Sequence, residues 1–406
     1  MEAHTFLIQL VLILVSARLV GELAAYFNIP SVIGELAAGI IIGPSLFGWV
    51  EISEPIHLLA QIGIILLLFE VGLETDIGKL TSSGGKALSV AMMGVVVPFV
   101  LGYLISSYVF GLSLIASLLV GSTLTATSIG ITLRVLRDLK KHTTREAQII
   151  LGAAVIDDII GIVLLSMLYE FSVSGEVNFL NAGKVMILIL LFFVISPIAA
   201  KVVSQTIKSW NDRSEIPGLL PTMIVALILL FSWIAYGLGA PELLGGFAAG
   251  LALSKMFYFP FGKYFEVSEE FSHKVEEQMK PIVHLFTPIF FVSIGLSLNL
   301  RDVEWSSFFI WTLTGSLLVA AVIGKLLSGF ALRKEKLLSK LIIGTAMIPR
   351  GEVGLIFANI GLTTGVLQNE GYTALILVIV FTTLLAPFTL RWLYSRQIAK
   401  PQERNL

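Results

Sequence analysis

The sequence predicts an all-α polytopic membrane protein with about thirteen transmembrane helices. Of its 406 residues, 56% are hydrophobic and only 14% are charged, and the mean hydropathy is +0.91, which lies outside the range of soluble domains. Apolar runs long enough to cross a bilayer recur from end to end. The net charge of -1 argues against nucleic-acid binding, and the lack of cysteine excludes disulfides and thiol chemistry.

Each apolar run is of roughly the 17 to 25 residues that cross the hydrocarbon, and short polar breaks separate the runs. The thirteen predicted spans are residues 6–26, 31–49, 57–74, 86–109, 113–134, 147–170, 182–206, 219–238, 241–257, 282–298, 305–331, 339–362 and 372–395. The first run lacks a basic leader and a small-residue cleavage site, so we expect a retained span and not a signal peptide.

The breaks between the spans differ in basic residues, which concentrate on the cytoplasmic side of membrane proteins. Alternate breaks are rich in them and the others hold little more than Lys184 and Arg301. The two richest breaks hold Arg137, Lys140, Lys141 and Arg145, and Arg333, Lys334, Lys336 and Lys340. This distribution predicts an outside N-terminus and an inside C-terminus.

An internal repeat is visible in the spans. Residues 34–39 of span two resemble 245–250 of span nine, and residues 69–73 of span three resemble 292–296 of span ten. Both pairs lie seven spans apart, so the two copies would cross the membrane in opposite directions. Two inverted repeats of this kind are typical of secondary transporters.

The repeat also predicts where helices are broken. The 223-residue offset that relates Gly72 to Gly295 makes span five the partner of span twelve. Span twelve contains Pro349 and Gly351, which interrupt helices. Span five contains a polar run of Ser122, Thr123, Thr125, Thr127 and Ser128. We therefore expect spans five and twelve to be crossing broken helices. The alternative is two kinked helices whose hydroxyls bond to the preceding turn.

Three charged residues are predicted to lie deep in spans six and eleven: Asp157, Asp158 and Lys325. A charged side chain at the bilayer centre costs roughly 2.5 to 3.5 kcal/mol, so it is retained where it is paired or faces a cavity. Neighbours on a helix point about 100° apart, so only one aspartate can face span eleven. We expect that aspartate to pair with Lys325, unless the lysine extends to the inner surface.

Three further charged residues receive supporting roles. Arg350 and Glu352 flank the break of span twelve and would neutralise the like helix ends that meet there. An ordinary ion pair to a neighbouring helix is the alternative. Glu74, near the inner end of span three, is a candidate for an inner funnel that attracts cations, or else a solvated acid at a helix end.

A buried carboxylate that is neither permanently protonated nor permanently ionised near neutral pH can hold a proton or a small cation, but not both at once. If only the loaded forms cross the barrier, this exclusion is antiport. If Asp158 is the aspartate that faces a water-filled cavity, it is the group that holds either a proton or sodium, and the oxygens of Thr127 and Ser128 suit a hard cation such as sodium. An aspartic protease needs two carboxylates that converge on one water, which neighbours on one helix do not do. A cation channel remains an alternative.

Seven motifs together resemble the monovalent cation:proton antiporter-2 family, and its NapA-type sodium/proton antiporters most closely. They are GELAAGIIIGPS, LLLFEVGLET, TATSIGITLRVL, GAAVIDDIIG, IGKLLSGF, PRGEVGLI and VIVFTTLLAP. The resemblance implies that Asp158 carries the ion, that Asp157 pairs with Lys325, and that exchange is electrogenic. It implies sodium and protons as transported ions, with lithium or potassium as further candidates and no cofactor.

The resemblance also implies a homodimer in the lipid membrane that works as an elevator. Residues 1–74 and 219–298 would form a dimerisation domain, 86–170 and 305–395 a mobile core domain, and 182–206 a linker helix. The potassium-efflux (Kef-like) members of the family end in a nucleotide-binding domain, and no Gly-rich βαβ pattern follows the last span here. A potassium/proton antiporter stays open as an alternative.

Overall fold

The fold was analysed in a computed structural model that describes residues 3–27, 29–75, 83–174, 179–214, 216–254, 269–301 and 304–399. Within these ranges all regular secondary structure is helical. The first eight helices are α1 Ala3–Tyr26, α2 Ser31–Ile42, α3 Glu54–Glu74, α4 Gly84–Leu104, α5 Leu114–Thr125, α6 Ile129–Asp138, α7 Arg145–Ser174 and α8 Phe179–Asn211. The others are α9 Leu219–Gly237, α10 Glu242–Leu253, α11 Glu269–Leu296, α12 Phe308–Ser328, α13 Leu337–Ala346, α14 Glu352–Thr363 and α15 Asn369–Ala399.

These helices are those of a multi-pass membrane protein. Ten helical segments of the described chain are long and apolar enough to cross a membrane, counting α5 and α6 together, and four shorter apolar helices accompany them. Every predicted span contains at least one helix, while the count of thirteen spans stays a prediction.

Helices α2 and α10 are each 12 residues long, much shorter than their predicted spans 31–49 and 241–257. Helix α2 ends at Ile42, seven residues before the predicted end of its span, because Gly43 and Pro44 follow and proline cannot continue the hydrogen bonding of the helix. Helix α10 ends at Leu253, and residues 255–257 of its predicted span lie outside the described residues. A 12-residue helix is about 18 Å long, so neither helix alone covers the hydrocarbon thickness.

The chain divides into two compact units. Unit 1 comprises Met1–Val20, Glu35–Ser82 and Gly183–Ser297, and unit 2 comprises Gly21–Gly34, Ser83–Ala182 and Leu298–Leu406. Each unit is therefore built from separate stretches of chain. In unit 1, helix α3 packs against α10 and α11, and in unit 2, helix α4 packs against α5, α7 and α12.

Unit 1 contains two close helix contacts that involve the repeated motifs. A Cβ atom added to Gly39 of α2 would lie 2.1 Å from the carbonyl oxygen of Val292 and 2.8 Å from the Cα of Gly295 in α11. A Cβ added to Gly250 of α10 would lie 2.1 Å from the carbonyl oxygen of Phe69. The same Cβ would lie 3.0 Å from the Cα of Gly72 in α3. Backbones approach this closely only where glycine removes the side chain.

The two contacts involve equivalent positions of the predicted repeat. The offset of 211 residues that relates Gly39 to Gly250 and the offset of 223 that relates Gly72 to Gly295 convert one contact into the other. Unit 2 has a second such pair, because a Cβ on Gly102 would lie 3.0 Å from the Cα of Gly121 and one on Gly329 would lie 3.0 Å from the backbone nitrogen of Gly344.

Replacing Gly39 or Gly250 with alanine is expected to destabilise the protein by similar amounts. Each methyl group would overlap a backbone oxygen that has no room to move, and overpacking of this kind costs typically about 1 to 3 kcal/mol. Thermal melting of the purified variants in detergent measures the loss. The matched control is Gly315→Ala in α12, where an added Cβ has open space around it. Melting temperatures equal to that of the control would contradict the close packing.

Candidate ion-binding site

Span five is interrupted between α5 and α6. The helix stops at Thr125, and Ala126 has extended backbone angles of φ -60° and ψ 131°. Ser128 is extended as well, with φ -87° and ψ 100°, and α6 begins at Ile129. The break coincides with the end of the predicted polar run, where Thr and Ser side chains compete with the helix for backbone hydrogen bonds.

Span twelve is interrupted at the predicted proline and glycine. Helix α13 ends at Ala346 and α14 begins at Glu352, so residues 347–351 are not α-helical. Pro349 lacks the backbone donor that a helix would need there, and Gly351 has φ -142° and ψ -141°. The two broken helices thus leave four half-helices in unit 2.

The two breaks contact each other directly. The backbone N–H of Ser128 donates to the carbonyl oxygen of Pro349 at 2.7 Å. The hydroxyl of Thr127 donates to the carbonyl of Met347 at 3.3 Å. Gly351 makes room for this contact, since a Cβ there would lie 2.8 Å from Oγ of Ser128. The breaks of spans five and twelve therefore contact each other, while the crossing of the broken helices stays a prediction.

Arg350 lies between the half-helix ends with a fully buried side chain. Its guanidinium donates to the carbonyl of Leu124 at 2.6 Å, in the last turn of α5, and to the carbonyl of Ile348 at 2.9 Å, just beyond α13. The carboxyl end of a helix carries about half a negative charge, so a cation there is favourable. Arg350 therefore lies where a cation stabilises these carbonyl ends, while its neutralising role in transport stays a prediction.

Asp157 and Lys325 form a buried ion pair. The Lys325 Nζ lies 3.3 Å from the Asp157 Oδ1, and both side chains are almost completely excluded from solvent. Helix α4 passes close to the amine, since a Cβ added to Gly94 would lie 3.8 Å from Nζ, an ordinary van der Waals distance. On the other side, the hydroxyl and the backbone N–H of Thr127 lie beside the Asp157 carboxylate. The pair therefore joins α7, α12 and the break of span five.

Asp158 is the second buried carboxylate, with 6% of its surface exposed. It lies within electrostatic reach of Lys325, although the ion pair of the lysine is with Asp157. The neighbouring oxygen-bearing side chains of the break are also buried, with Thr127 4% and Ser128 9% exposed. Unit 2 thus contains two adjacent carboxylates that differ in environment, as adjacent positions on one helix require.

The structure gives only the position in the helix for Glu352, and the position and burial for Glu74. Glu352 is the first residue of α14, and its side chain lies outside the described part of the structure. Glu74 is the last residue of α3 and is half-buried. Their predicted roles, in charge compensation and in an inner funnel, stay predictions.

Two threonines at the breaks were not among the predicted site residues. The hydroxyl of Thr132 donates to the carbonyl of Ala346 at 2.7 Å, and that of Thr383 donates to the carbonyl of Arg350 at 2.5 Å. Both lie in apolar helices, where a lone hydroxyl normally bonds to its own helix. No sequence signal distinguishes Thr383 from other threonines in apolar helices.

Similarity to known proteins agrees with the antiporter resemblance of the motifs. Residues 10–396 match the family model described as sodium/hydrogen exchanger, transmembrane. The chain is 37% identical over 396 residues to the Na(+)/H(+)-K(+) antiporter GerN of Bacillus cereus, covering 96% of each chain. It is 33% identical to the high-affinity Na(+)/H(+) antiporter NhaS3 of Synechocystis, covering 96% of this chain and 90% of that protein.

The fold is also that of a solved antiporter. The sodium proton antiporter MjNhaP1 from Methanocaldococcus jannaschii superposes with a TM-score of 0.74 at 19% identity, over 100% of both chains. Its structure at pH 8 gives a TM-score of 0.71 over 98% of this chain and 99% of that one. With its apolar helices, the chain is a multi-pass integral protein of the cell membrane. It belongs to the sodium/hydrogen exchanger family.

Proposed function

We propose that this protein exchanges cytoplasmic sodium for external protons, with Asp158 as the group that carries either ion. The observation that carries the proposal is the arrangement of two buried carboxylates, of which Asp157, and not Asp158, is paired with Lys325 beside the break of span five. The names of GerN, NhaS3 and MjNhaP1, which all include sodium and proton antiport, support the choice of ions.

The chemistry rests on the different environments of the two aspartates. The charge of Asp157 is balanced by the amine of Lys325, so binding a second cation there would leave a net positive charge. Asp158 then provides a carboxylate to which sodium or a proton can bind, and the oxygens of Thr127 and Ser128 complete a hard-ligand shell. An unloaded Asp158 leaves a net charge that is costly to move through the membrane, so only the loaded forms exchange between the two sides.

The movement that we propose is an elevator, in which the domain that holds the site moves against a fixed dimerisation domain. Asp157, Asp158, Lys325 and the two breaks all lie in unit 2, which contains the proposed core stretches 86–170 and 305–395, while Glu74 lies in unit 1. Unit 1 contains most of the proposed dimerisation stretches and also most of α8, the proposed linker. This division supports the domain assignment, and the proposed homodimer would associate through the dimerisation domain.

The proposed topology has thirteen spans in two inverted repeats, with the N-terminus outside and the C-terminus inside. The equivalent glycine contacts of Gly39 with Gly295 and of Gly72 with Gly250 support the repeats. The basic breaks around Arg137 and Arg333 support the orientation.

Potassium is a second candidate cargo. The name of GerN includes potassium beside sodium, and GerN is 37% identical to this chain. A carboxylate with hydroxyl ligands also accepts either monovalent ion, since both are hard cations. We therefore include potassium, with lithium, among the ions to be tested.

Proton flux in proteoliposomes tests the proposal. Purified protein is reconstituted with a pH-sensitive dye inside the vesicles, and sodium, lithium, potassium or choline is added in turn. Sodium is expected to move protons in the opposite direction, and choline is not. The membrane potential is then clamped with valinomycin and potassium or left free. Exchange is electrogenic if more protons than sodium ions move, and clamping at zero is then expected to speed sodium-driven flux, because it prevents charge from accumulating. One-for-one exchange at Asp158 alone predicts no effect of the clamp.

Two results would contradict the proposal. Dissipation of a sodium gradient without coupled proton movement would indicate a channel. Proton movement with potassium but none with sodium would indicate a potassium/proton antiporter in place of the proposed sodium exchange.

A further inference from the structure

Thr383 lies in α15 and reaches across to the break of span twelve. Thr383 is 4% exposed, and its hydroxyl donates to the carbonyl oxygen of Arg350 at 2.5 Å. Its neighbour Thr382, which is completely buried, donates to Val378 and Ile379 in its own helix at 2.7 and 3.0 Å. The hydroxyls of these two adjacent threonines therefore have different acceptors. Of the two, only the hydroxyl of Thr383 donates to a residue outside α15.

Thr383 completes a continuous set of hydrogen bonds along the break. The carbonyls of residues 346–350 each accept a hydrogen bond that is not part of the regular backbone hydrogen bonding of a helix. In order, the donors are the hydroxyls of Thr132 and Thr127, the guanidinium of Arg350, the backbone N–H of Ser128 and the hydroxyl of Thr383. Four of these donors lie in span five or in the break itself. Thr383 alone of the five ties the break to the last helix.

The contact of Thr383 with the second break corresponds to the contact of Asp157 with the first break. The 223-residue offset that relates Gly121 to Gly344 also relates Thr127 to Arg350. Asp157 and Thr383 are 226 residues apart, within the range set by the offsets of 223 and 227 that relate the glycine pairs of unit 2, so their equivalence rests on their contacts with the breaks. Asp157 lies beside Thr127 in the first break as Thr383 lies beside Arg350 in the second.

We propose that Thr383 is a positioning residue for the ion site, and that it does for the second break what Asp157 does for the first. Its hydroxyl fixes the peptide between Arg350 and Gly351. That peptide in turn sets where the guanidinium reaches Leu124 and where Gly351 lies against Ser128. Thr383 touches neither ion and acts through these neighbours. The effect on transport rests on the proposed sodium/proton exchange, while the effect on the break does not.

The test compares Thr383→Val with Thr382→Val, which makes the same Thr→Val substitution at the adjacent buried position. In proteoliposomes, Thr383→Val is expected to raise the half-saturating sodium concentration about tenfold, because a buried carbonyl loses its donor and Ser128 moves with it. Thr383→Ser keeps the hydroxyl and is expected to restore the wild-type value. Thr382→Val is expected to remain within about twofold, because its acceptors are carbonyls within its own helix.

Hydrogen–deuterium exchange supplies a measurement that does not depend on transport. In Thr383→Val the amide of Ser128, which donates to Pro349, is expected to exchange faster than in wild type and in Thr382→Val. If the wild type fails to exchange sodium for protons but this amide is deprotected, the proposed function fails and the positioning role stands. Thr383→Cys, with a weaker donor, gives intermediate values should the valine variant not fold.

Two results would overturn the inference. The first is a lower melting temperature of Thr383→Val with an unchanged half-saturating sodium concentration and an unchanged Ser128 amide, which would make the role of Thr383 purely structural. The second is an equal effect of Thr382→Val on sodium half-saturation, which would show that the hydrogen bond to Arg350 has no special importance.

Discussion

Asp158→Asn is expected to abolish sodium-driven proton movement in proteoliposomes, down to the background of protein-free vesicles. Asparagine has nearly the shape of aspartate, so the packing around this position, which is 6% exposed, should be kept. An amide, however, neither ionises nor binds a proton in the accessible pH range, so the variant can no longer alternate between the two ions. The change of internal pH on addition of sodium measures the effect.

The matched control removes a carboxylate from another position. Glu277 is exposed in α11 of unit 1, and Glu277→Gln is expected to retain wild-type flux. Melting temperatures of both variants show whether the protein remains folded. Coupled exchange that persists in a folded Asp158→Asn variant would show that another group carries the ion.

Lys325→Ala is expected to lower the stability of the purified protein by roughly 3 to 5 kcal/mol, the usual cost of removing one partner of a buried ion pair. The amine and the carboxylate of Asp157 are 3.3 Å apart, with side-chain exposures of 0% and 1%. Water therefore cannot solvate the carboxylate that the substitution leaves without its partner. Electrogenic exchange should also weaken, because a positive charge is lost from the site. Thermal melting and voltage-dependent flux measure the two effects.

A double-mutant cycle isolates the pair. Lys325→Ala combined with Asp157→Asn leaves no unpaired charge and should be destabilised by less than the sum of the two single changes. Strictly additive losses of stability would mean that the two side chains do not interact in the folded protein.

Much of this site could be predicted because its signals are local. Length and hydropathy define the spans, Pro349 and Gly351 define one break, and the run ending at Ser128 defines the other. The pairing of Lys325 with an aspartate follows from the cost of a lone charge in the membrane. These inferences depend only on the chemistry of each residue and on its depth in an apolar run.

The remaining features depend on contacts between distant parts of the chain. Thr132 and Thr383 resemble any other threonine in an apolar helix, and only the fold places them against the carbonyls of Ala346 and Arg350. The early end of α2 depends on Gly43 and Pro44, whose effect an average of hydropathy over the whole run conceals. Local chemistry thus predicts which residues matter better than which atoms they contact.

The account depends on one carboxylate that releases its proton when it binds sodium. Calorimetric titration of the purified protein with sodium, repeated in buffers of different ionisation enthalpy, counts the protons released per sodium bound. Well below the pH at which transport is half-active, where the sodium-free carboxyl holds its proton, we expect at least one proton to be released per sodium ion bound, and more than one where exchange is electrogenic. We expect no sodium binding in Asp158→Asn. Sodium binding with no proton release at any pH at which the protein transports would contradict the account.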